Sequence, residues 1–407
     1  MPSLSTTTAL LASLLVASTI AARDITFPPI SPQYGAHEQQ YPLLGSAGQI
    51  VGDGPLGVMG YGLTTFANLP YVFCLSEKAN EDVEKFDVAF LGAGFDTATT
   101  GRPGARFGPG GIRLGSRRMH PRGYSVYTGR NSFAEWAEVV DCGDVPLTLL
   151  VCDTRESVAS AITVDHVQDN TAALKQLDEA HKIISGRLAN SSEYSTPRII
   201  TLGGDHTTTL SALRSTFTHW GAVSVIHFDS HIDTWDPAVI GGGISHYAGV
   251  NHGTFLHIAH EEGLVRNTSI HAGIRAPLIR KKGDLRNDVR CGFDIVRARD
   301  IDRIGIDGVI RKLKKRVAGT KVYISVDIDV LDPAFAPATG TSEVGGWTTR
   351  ELLSILDGLG GIEVIGADVV EVAPIYDNPG ETTVLAAAEV AHSLLTLMVE
   401  TPAKSST

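Results

Sequence analysis

Residues 227–233 read HFDSHID, directly after the apolar run AVSVI. On an extended strand the alternate residues His227, Asp229, His231 and Asp233 share one face. Burying four such groups together is costly without a cation to neutralise them. Two carboxylates and an imidazole at Asp229, His231 and Asp233 form a mixed oxygen and nitrogen set suited to hard or borderline divalent ions. Two further stretches carry the same signal. In RIITLGGDHTTT, glycines after an apolar run let the backbone turn and present His206 to a cleft. In SVDIDVLDPAFAPATGT, Asp327 and Asp329 are expected on one strand face, and Asp332-Pro333 begins the turn that ends it. Two adjacent buried carboxylates repel and protonate unless something positive pairs with them. His206, Asp229, His231, Asp233, Asp327 and Asp329 are more donors than one ion uses, whereas two ions sharing carboxylates use them all. The set contains no thiolate and is oxygen-rich, which leans towards manganese.

The elements that must hold these residues follow from the pattern around them. Short apolar runs recur at 85–92, 138–144, 198–205, 222–229, 269–275, 293–300, 321–329 and 362–372, with longer amphipathic stretches such as 154–187, 302–317 and 380–399 between them. Strands alternating with helices specify a mainly parallel sheet covered on both faces. The expectation is an α/β chain, one three-layer domain with an eight-stranded sheet over 84–400 and a short tail at 401–407. Ligands of such sheets bind beyond the carboxyl ends of the strands, where all the residues above fall.

The three motifs GGDH, DSHID and SVDIDVLDPAFAPATGT, in this order and spacing, resemble the ureohydrolase family of arginases, agmatinases and their relatives, over about 85–395. The resemblance implies an arginase-like fold and two Mn2+ ions per subunit. It implies His206, Asp229, Asp233 and Asp327 on one manganese and His231, Asp229, Asp327 and Asp329 on the other, with Asp229 and Asp327 bridging. His227 is no ligand in this mapping and is assigned a place beneath the site. The implied reaction is hydrolysis of a guanidino group to urea and an amine. Asp329 would take the proton of the attacking water. His252, in NHGTFLH, would assist the leaving amine, and Glu371, in DVVEVAP, would receive the guanidinium.

FDTATTGRPGARFGPGGIR and HGTF are closer to agmatinase than to arginase, and the polar loop an α-amino-acid substrate needs is missing before His252. Agmatine, giving putrescine, is therefore the expected substrate, with 4-guanidinobutanoate next; their tails carry opposite charge. Ser245, His246, Tyr247 and Asn251 are the nominated contacts from one loop and Arg102 and Arg106 from another, although the arginines also suit a role in holding their loop. A member that binds metal or ligand without turnover, and an amidohydrolase that releases carboxylate and no urea, are the rival readings.

Composition bounds the rest. A formal net charge of -11, with 43% hydrophobic residues, argues against nonspecific nucleic-acid binding and for a well-buried core. Residues 1–22 read as a cleaved secretory leader, for a protein entering the secretory pathway, and 23–83, rich in Pro, Gly and Tyr, as an irregular extension wrapped on the body. No other segment reads as long and apolar enough to span a membrane. Sequons at Asn190 and Asn267 fit that route. Cys74, Cys142, Cys152 and Cys291 read as buried free thiols, with one bridge as the alternative. By analogy with the family, a homo-oligomer, trimer or hexamer, is expected.

Overall fold

Each of the eight apolar runs becomes a strand: β1 Val88–Ala93, β2 Val139–Asp144, β3 Arg198–Gly203, β4 Ser224–Phe228, β5 Ser269–Ile274, β6 Phe293–Arg297, β7 Lys321–Asp327 and β8 Glu363–Val370. The computed structural model describes residues 63–77, 80–119, 121–147, 171–191, 196–240 and 249–403. The strands form one sheet in the order β2-β1-β3-β8-β7-β4-β5-β6. Every adjacent pair in it is parallel. β1, β4 and β5 are buried at every residue, the signature of a sheet covered on both sides.

On one face α1 Gly108–Ser116, α6 Ile301–Val317, α7 Thr349–Gly358 and α8 Thr382–Glu400 pack in a row. On the other lie α2 Thr171–Ser185, α3 Thr208–Trp220 and α4 Phe255–Glu261, while α5 Lys281–Arg290 flanks β6. The amphipathic stretch expected from 154 is described only from Thr171 onward.

α8 corrects one expectation. It is long and apolar enough to cross a membrane by composition, yet 67% of its apolar window is buried in the protein. Leu394, Leu395, Leu397 and Met398 are sealed against the sheet core. Each such side chain contributes about 1.5–3 kcal/mol on burial. α8 is a core helix of this domain.

Residues 1–62, including the expected leader, lie outside the described residues. From 63 onward the chain crosses the edge of the sheet with two short 3-10 turns, Phe66–Asn68 and Asn80–Asp82. Phe66 stacks on Phe90 at 4.1 Å, and its N–H donates to Asp141 Oδ2 at 2.7 Å. Tyr71 pairs with Asp141 of β2 as an isolated bridge. That alignment carries Cys74 to Cys142 of β2, and the two are joined in a disulfide, which corrects the reading of free thiols. Cys291 is free and buried; Cys152 lies outside the described residues.

Two strands stop earlier than the alternation implied. β4 ends at Phe228, so Asp229 to Asp233 form a loop, with Asp233 in a left-handed conformation at φ 50°. β7 ends at Asp327, and Ile328–Val330 turn as a 3-10 helix whose first N–H groups include that of Asp329, bonded to Asp327 Oδ1 at 2.8 Å. The carboxylates converge through these turns and not through one flat strand face.

Candidate binuclear metal centre

Four neighbouring strands at the middle of the sheet, β3, β8, β7 and β4, release their chains at one place. His206 follows β3, Glu371 follows β8, Asp327 ends β7 and Asp229 follows β4. The ligands are thus far apart in sequence and adjacent in space.

His206 Nδ1 lies 3.1 Å from Asp229 Oδ2, 3.2 Å from Asp233 Oδ2 and 3.3 Å from Asp327 Oδ2. The other ring nitrogen, Nε2, is 2.8 Å from Ser325 Oγ, and the Ser325 hydroxyl donates to Asp368 Oδ1 at 2.6 Å. With its one proton on Nε2, His206 aims a bare Nδ1 at three carboxylates. Nδ1 and Asp229 Oδ2 are both buried without a hydrogen-bond partner. A lone pair facing anions in the interior is stable only with a cation between them. Burial opposes a charge on His206, yet the three carboxylates hold its proton affinity well above the ordinary imidazole range. That negative field is what a metal ion would occupy.

A second group adjoins the first. His231 Nδ1 lies 3.2 Å from Asp229 Oδ1 and 3.0 Å from Asp329 Oδ2. Asp229 therefore offers one oxygen to each group and joins them. Two clusters of donors, one of His206, His227, Asp229 and Asp233 and the other of Asp229, His231 and Asp329, meet the spacing of metal ligands. Burial pushes the Asp233 carboxyl up to about 6, with Asp229 adding to the shift. Burial, Asp329 and Asp229 hold Asp327 well above the carboxylate range. Without cations the set cannot be fully ionised; with two it can. All six residues nominated from sequence are brought together here, and an oxygen-rich donor set without sulfur fits divalent manganese.

His227, expected beneath the site, has its Nε2 3.1 Å from Asp229 Oδ2 and falls within the first donor cluster. Burial drives its pKa down to about 3. Glu371, at φ 61°, is the second site carboxylate in a left-handed conformation, a strained state of the kind that collects at functional sites. Its Oε1 accepts from the His206 backbone N–H and faces His252 Nδ1, both at 3.0 Å, while Oε2 is buried and has no hydrogen-bond partner. His252 Nε2 meets the Thr100 hydroxyl at 2.7 Å and the Thr100 N–H at 3.0 Å. Burial disfavours a charge on His252, but Glu371 raises it to about 9. The Thr100 N–H pulls the other way, towards a bare Nε2. A ring balanced between a donor and an acceptor role suits proton transfer.

The cleft above encloses about 530 Å3, including the part open to solvent. Its lining is polar at Thr100, His231, Asp233, His252, Asp327 and Thr341 and apolar at Trp235, Ile240, Pro277 and Ile279.

The remaining nominees fare differently. Asn251 turns its amide to its own loop, donating to Ile240 O at 3.2 Å and accepting from Gly253 N–H at 3.0 Å, so it is not part of the cleft lining. Ser245, His246 and Tyr247 lie outside the described residues. Arg102 stacks on Tyr376 and donates to Thr339 O; Arg106 pairs with Asp96. Both arginines hold their loop.

Sequence reasoning missed the buttresses. Asp368 accepts from Thr209, Tyr323 and Ser325, and Arg275 spends its guanidinium on the carbonyls of Gly273, Asp329, Val330, Leu331 and Glu343. The available signal was a single carboxylate inside the apolar run EVIGADVV, a charge no buried strand keeps without partners.

The chain matches the family model described as Arginase family over residues 86–396. It is 50% identical over 352 residues, 84% of this chain and 83% of the relative, to a protein named putative agmatinase 1 of Schizosaccharomyces pombe. It is 33% identical over 335 residues to proclavaminate amidinohydrolase of Streptomyces clavuligerus, covering 82% of this chain and 92% of that one. The solved structure of a proclavaminate amidino hydrolase from Streptomyces clavuligerus superposes with a TM-score of 0.66 at 30% identity, over 83% of this chain and 97% of that one. A hypothetical agmatinase from Burkholderia thailandensis gives 0.64 at 32% identity, over 83% and 90%. With its eight-stranded parallel sheet and its paired donor clusters at the central strand ends, the chain belongs to the arginase family.

Proposed function

We propose that this protein is a ureohydrolase that cleaves agmatine to urea and putrescine in a centre holding two manganese ions. The observation that carries the reading is Asp229, which offers one oxygen to the His206 group and the other to the His231 group, beside a cleft lined by His231, Asp233 and Asp327. Two divalent ions, when bound, bring the ionisation of water close to neutral pH and so supply the nucleophile. His206, Asp229, Asp233 and Asp327 would hold one, and His231, Asp229, Asp327 and Asp329 the other.

The protein's own groups do the rest. The free, buried Oε2 of Glu371 suits a guanidinium N–H, and a planar cation against a carboxylate fixes the carbon that is attacked. Asp329 Oδ2 takes the proton of the attacking water. The bond from the guanidinium carbon to the alkyl nitrogen then breaks, and His252 passes a proton to the leaving amine. Trp235, Ile240, Pro277 and Ile279 offer the methylene chain an apolar surface and no partner for an α-amino-acid head.

The tail's charge separates agmatine from 4-guanidinobutanoate. Glu343 Oε1 stands 4.0 Å from His231 Nε2 at the rim, whereas Arg102, Arg106 and Arg275 are engaged in structural contacts. That balance favours a cationic tail. The relatives named putative agmatinase, at 50% and 44% identity, support the same substrate. The experiment is urea release by the manganese-loaded protein given agmatine, 4-guanidinobutanoate and arginine separately. Agmatine is expected to give urea fastest. Preference for the carboxylate-tailed substrate would change the substrate and keep the chemistry, and no urea from any would leave a binding protein or an amidohydrolase.

The same reading includes a homo-oligomer, to be checked by solution mass, and a secretory route with removal of 1–22. The Cys74–Cys142 disulfide, a bond that persists in oxidising compartments, supports that route. The N-terminal sequence of the mature protein tests it.

A further inference from the structure

Beside the cleft stands a carboxylate that no step of the hydrolysis uses. Glu343 lies two residues beyond Thr341, which lines the cleft, and its Oε1 is 4.0 Å from the Nε2 of His231, which lines it too. That distance is too long for a hydrogen bond. Among the described residues His231 is the ion-pair neighbour of Glu343, and the Glu343 side chain is 35% exposed. Arg275, which reaches the Glu343 backbone, turns its guanidinium to carbonyl oxygens and not to the carboxylate.

The chain that carries this charge is fixed on both sides of it. Arg102 Nη2 donates to Thr339 O at 2.8 Å and to Ser342 Oγ at 3.4 Å. Arg275 donates to Glu343 O from Nε at 3.2 Å and from Nη2 at 2.8 Å. Asp332 Oδ2 accepts the Gly345 and Gly346 N–H groups at 2.7 and 3.2 Å. Arg275 also follows β5 directly and leads into Pro277 and Ile279 of the apolar lining. The Glu343 backbone is thereby tied to the segment that a methylene chain would lie against. A charge on a preset backbone loses little freedom when it meets a ligand.

Resting on the ureohydrolase reading above, we infer that Glu343 is the specificity-determining residue for the far end of the substrate: it receives a terminal ammonium, so the site selects guanidino compounds whose apolar chain ends in a cation. Glu371 Oε2 takes the guanidinium at one end, and Glu343 takes the ammonium at the other. A carboxylate tail meets like charge there and is rejected. The competing role for a carboxylate beside a metal-ligating imidazole is to orient it, which sets metal affinity and is blind to the tail.

The test measures urea release by the manganese-loaded full chain from agmatine, 4-guanidinobutanoate and butylguanidine, whose tail is uncharged. In the wild type kcat/KM is expected to fall in the order agmatine, butylguanidine, 4-guanidinobutanoate. In Glu343→Gln the ratio of kcat/KM for agmatine to that for butylguanidine is expected to fall about 2- to 5-fold, the scale of one partly exposed ion pair, with the manganese content of the wild type. Glu343→Lys is expected to lower the ratio further and to bring 4-guanidinobutanoate above butylguanidine. An unchanged ratio in Glu343→Gln, or a loss of manganese from it, would overturn the inference and make Glu343 a positioning residue for His231. A wild type that does not favour agmatine over butylguanidine would overturn it as well. No urea from any of the three in the wild type would overturn the ureohydrolase reading itself, and the inference with it.

Discussion

At the scale of single residues, the site is governed by where lone pairs point. Asp327 is buried, faces His206 Nδ1 at 3.3 Å, and is held well above the carboxylate range by burial and by Asp329 and Asp229. Asp327→Asn keeps the shape and removes the charge that the proposed reading shares between both metal ions. Urea release is expected to fall by several orders of magnitude, with the far-ultraviolet circular dichroism unchanged; near-normal turnover would sink the shared-ligand assignment. In the proposed reading Glu371 plays a different part, because its Oε2 is buried without a hydrogen-bond partner and so is left for a guanidinium. Glu371→Gln is expected to raise the KM for agmatine roughly 10- to 100-fold, the loss of a hydrogen bond to a charged group. Manganese content should be unaffected, and a drop in it would reassign Glu371 to the metal shell. The ligand residues were legible because HFDSHID and SVDID place charge inside apolar surroundings. Asn251 bonds Ile240 O and Gly253 N–H within its own loop, a use that in sequence looks like a substrate contact.

At the scale of elements, the close packing of loops on strand ends sets the distances. The loop after β1 crosses directly over the end of β3: a Cβ on Gly204 would stand 1.8 Å from Phe95 O. Asp205 then clamps the loop, accepting the Ala98 N–H at 3.0 Å, and so sets Thr100 against His252. Gly204→Ala must push this loop away. It is expected to cost about 1–3 kcal/mol in stability and to lower kcat/KM without altering the ligand set. Thermal unfolding and steady-state rates on the same preparation check it. All eight strands were readable as apolar runs, because burial on both faces leaves little room for polar residues. Their ends were not, since turning at Asp229 or Asp327 depends on hydrogen bonds made only when neighbouring strands are in place.

At the scale of the whole molecule, the segment before β1 is tied to the edge of the sheet by one covalent link. Cys74–Cys142 spans 68 residues, and a cross-link closing such a loop contributes roughly 2–4 kcal/mol by restricting the unfolded chain. Reduction is expected to lower the Tm while leaving manganese-dependent turnover largely intact at 25 °C, because β2 is the sheet edge and the centre lies on β3, β8, β7 and β4. Equal loss of both would mean the edge segment supports the site. The sequence by itself determined the fold class, the strands and the six acidic and histidine residues that cluster at the strand ends, because periodicity and misplaced charge are local properties that survive without coordinates. It left the partner of Cys74 open, showed a buried charge at Asp368 but none of its partners, and could not say which oxygen of Asp229 serves which group. Those were decided by tertiary structure, for a physical reason: strand order brings together residues more than a hundred positions apart, and a hydrogen bond or a disulfide exists only between groups that the fold has made neighbours.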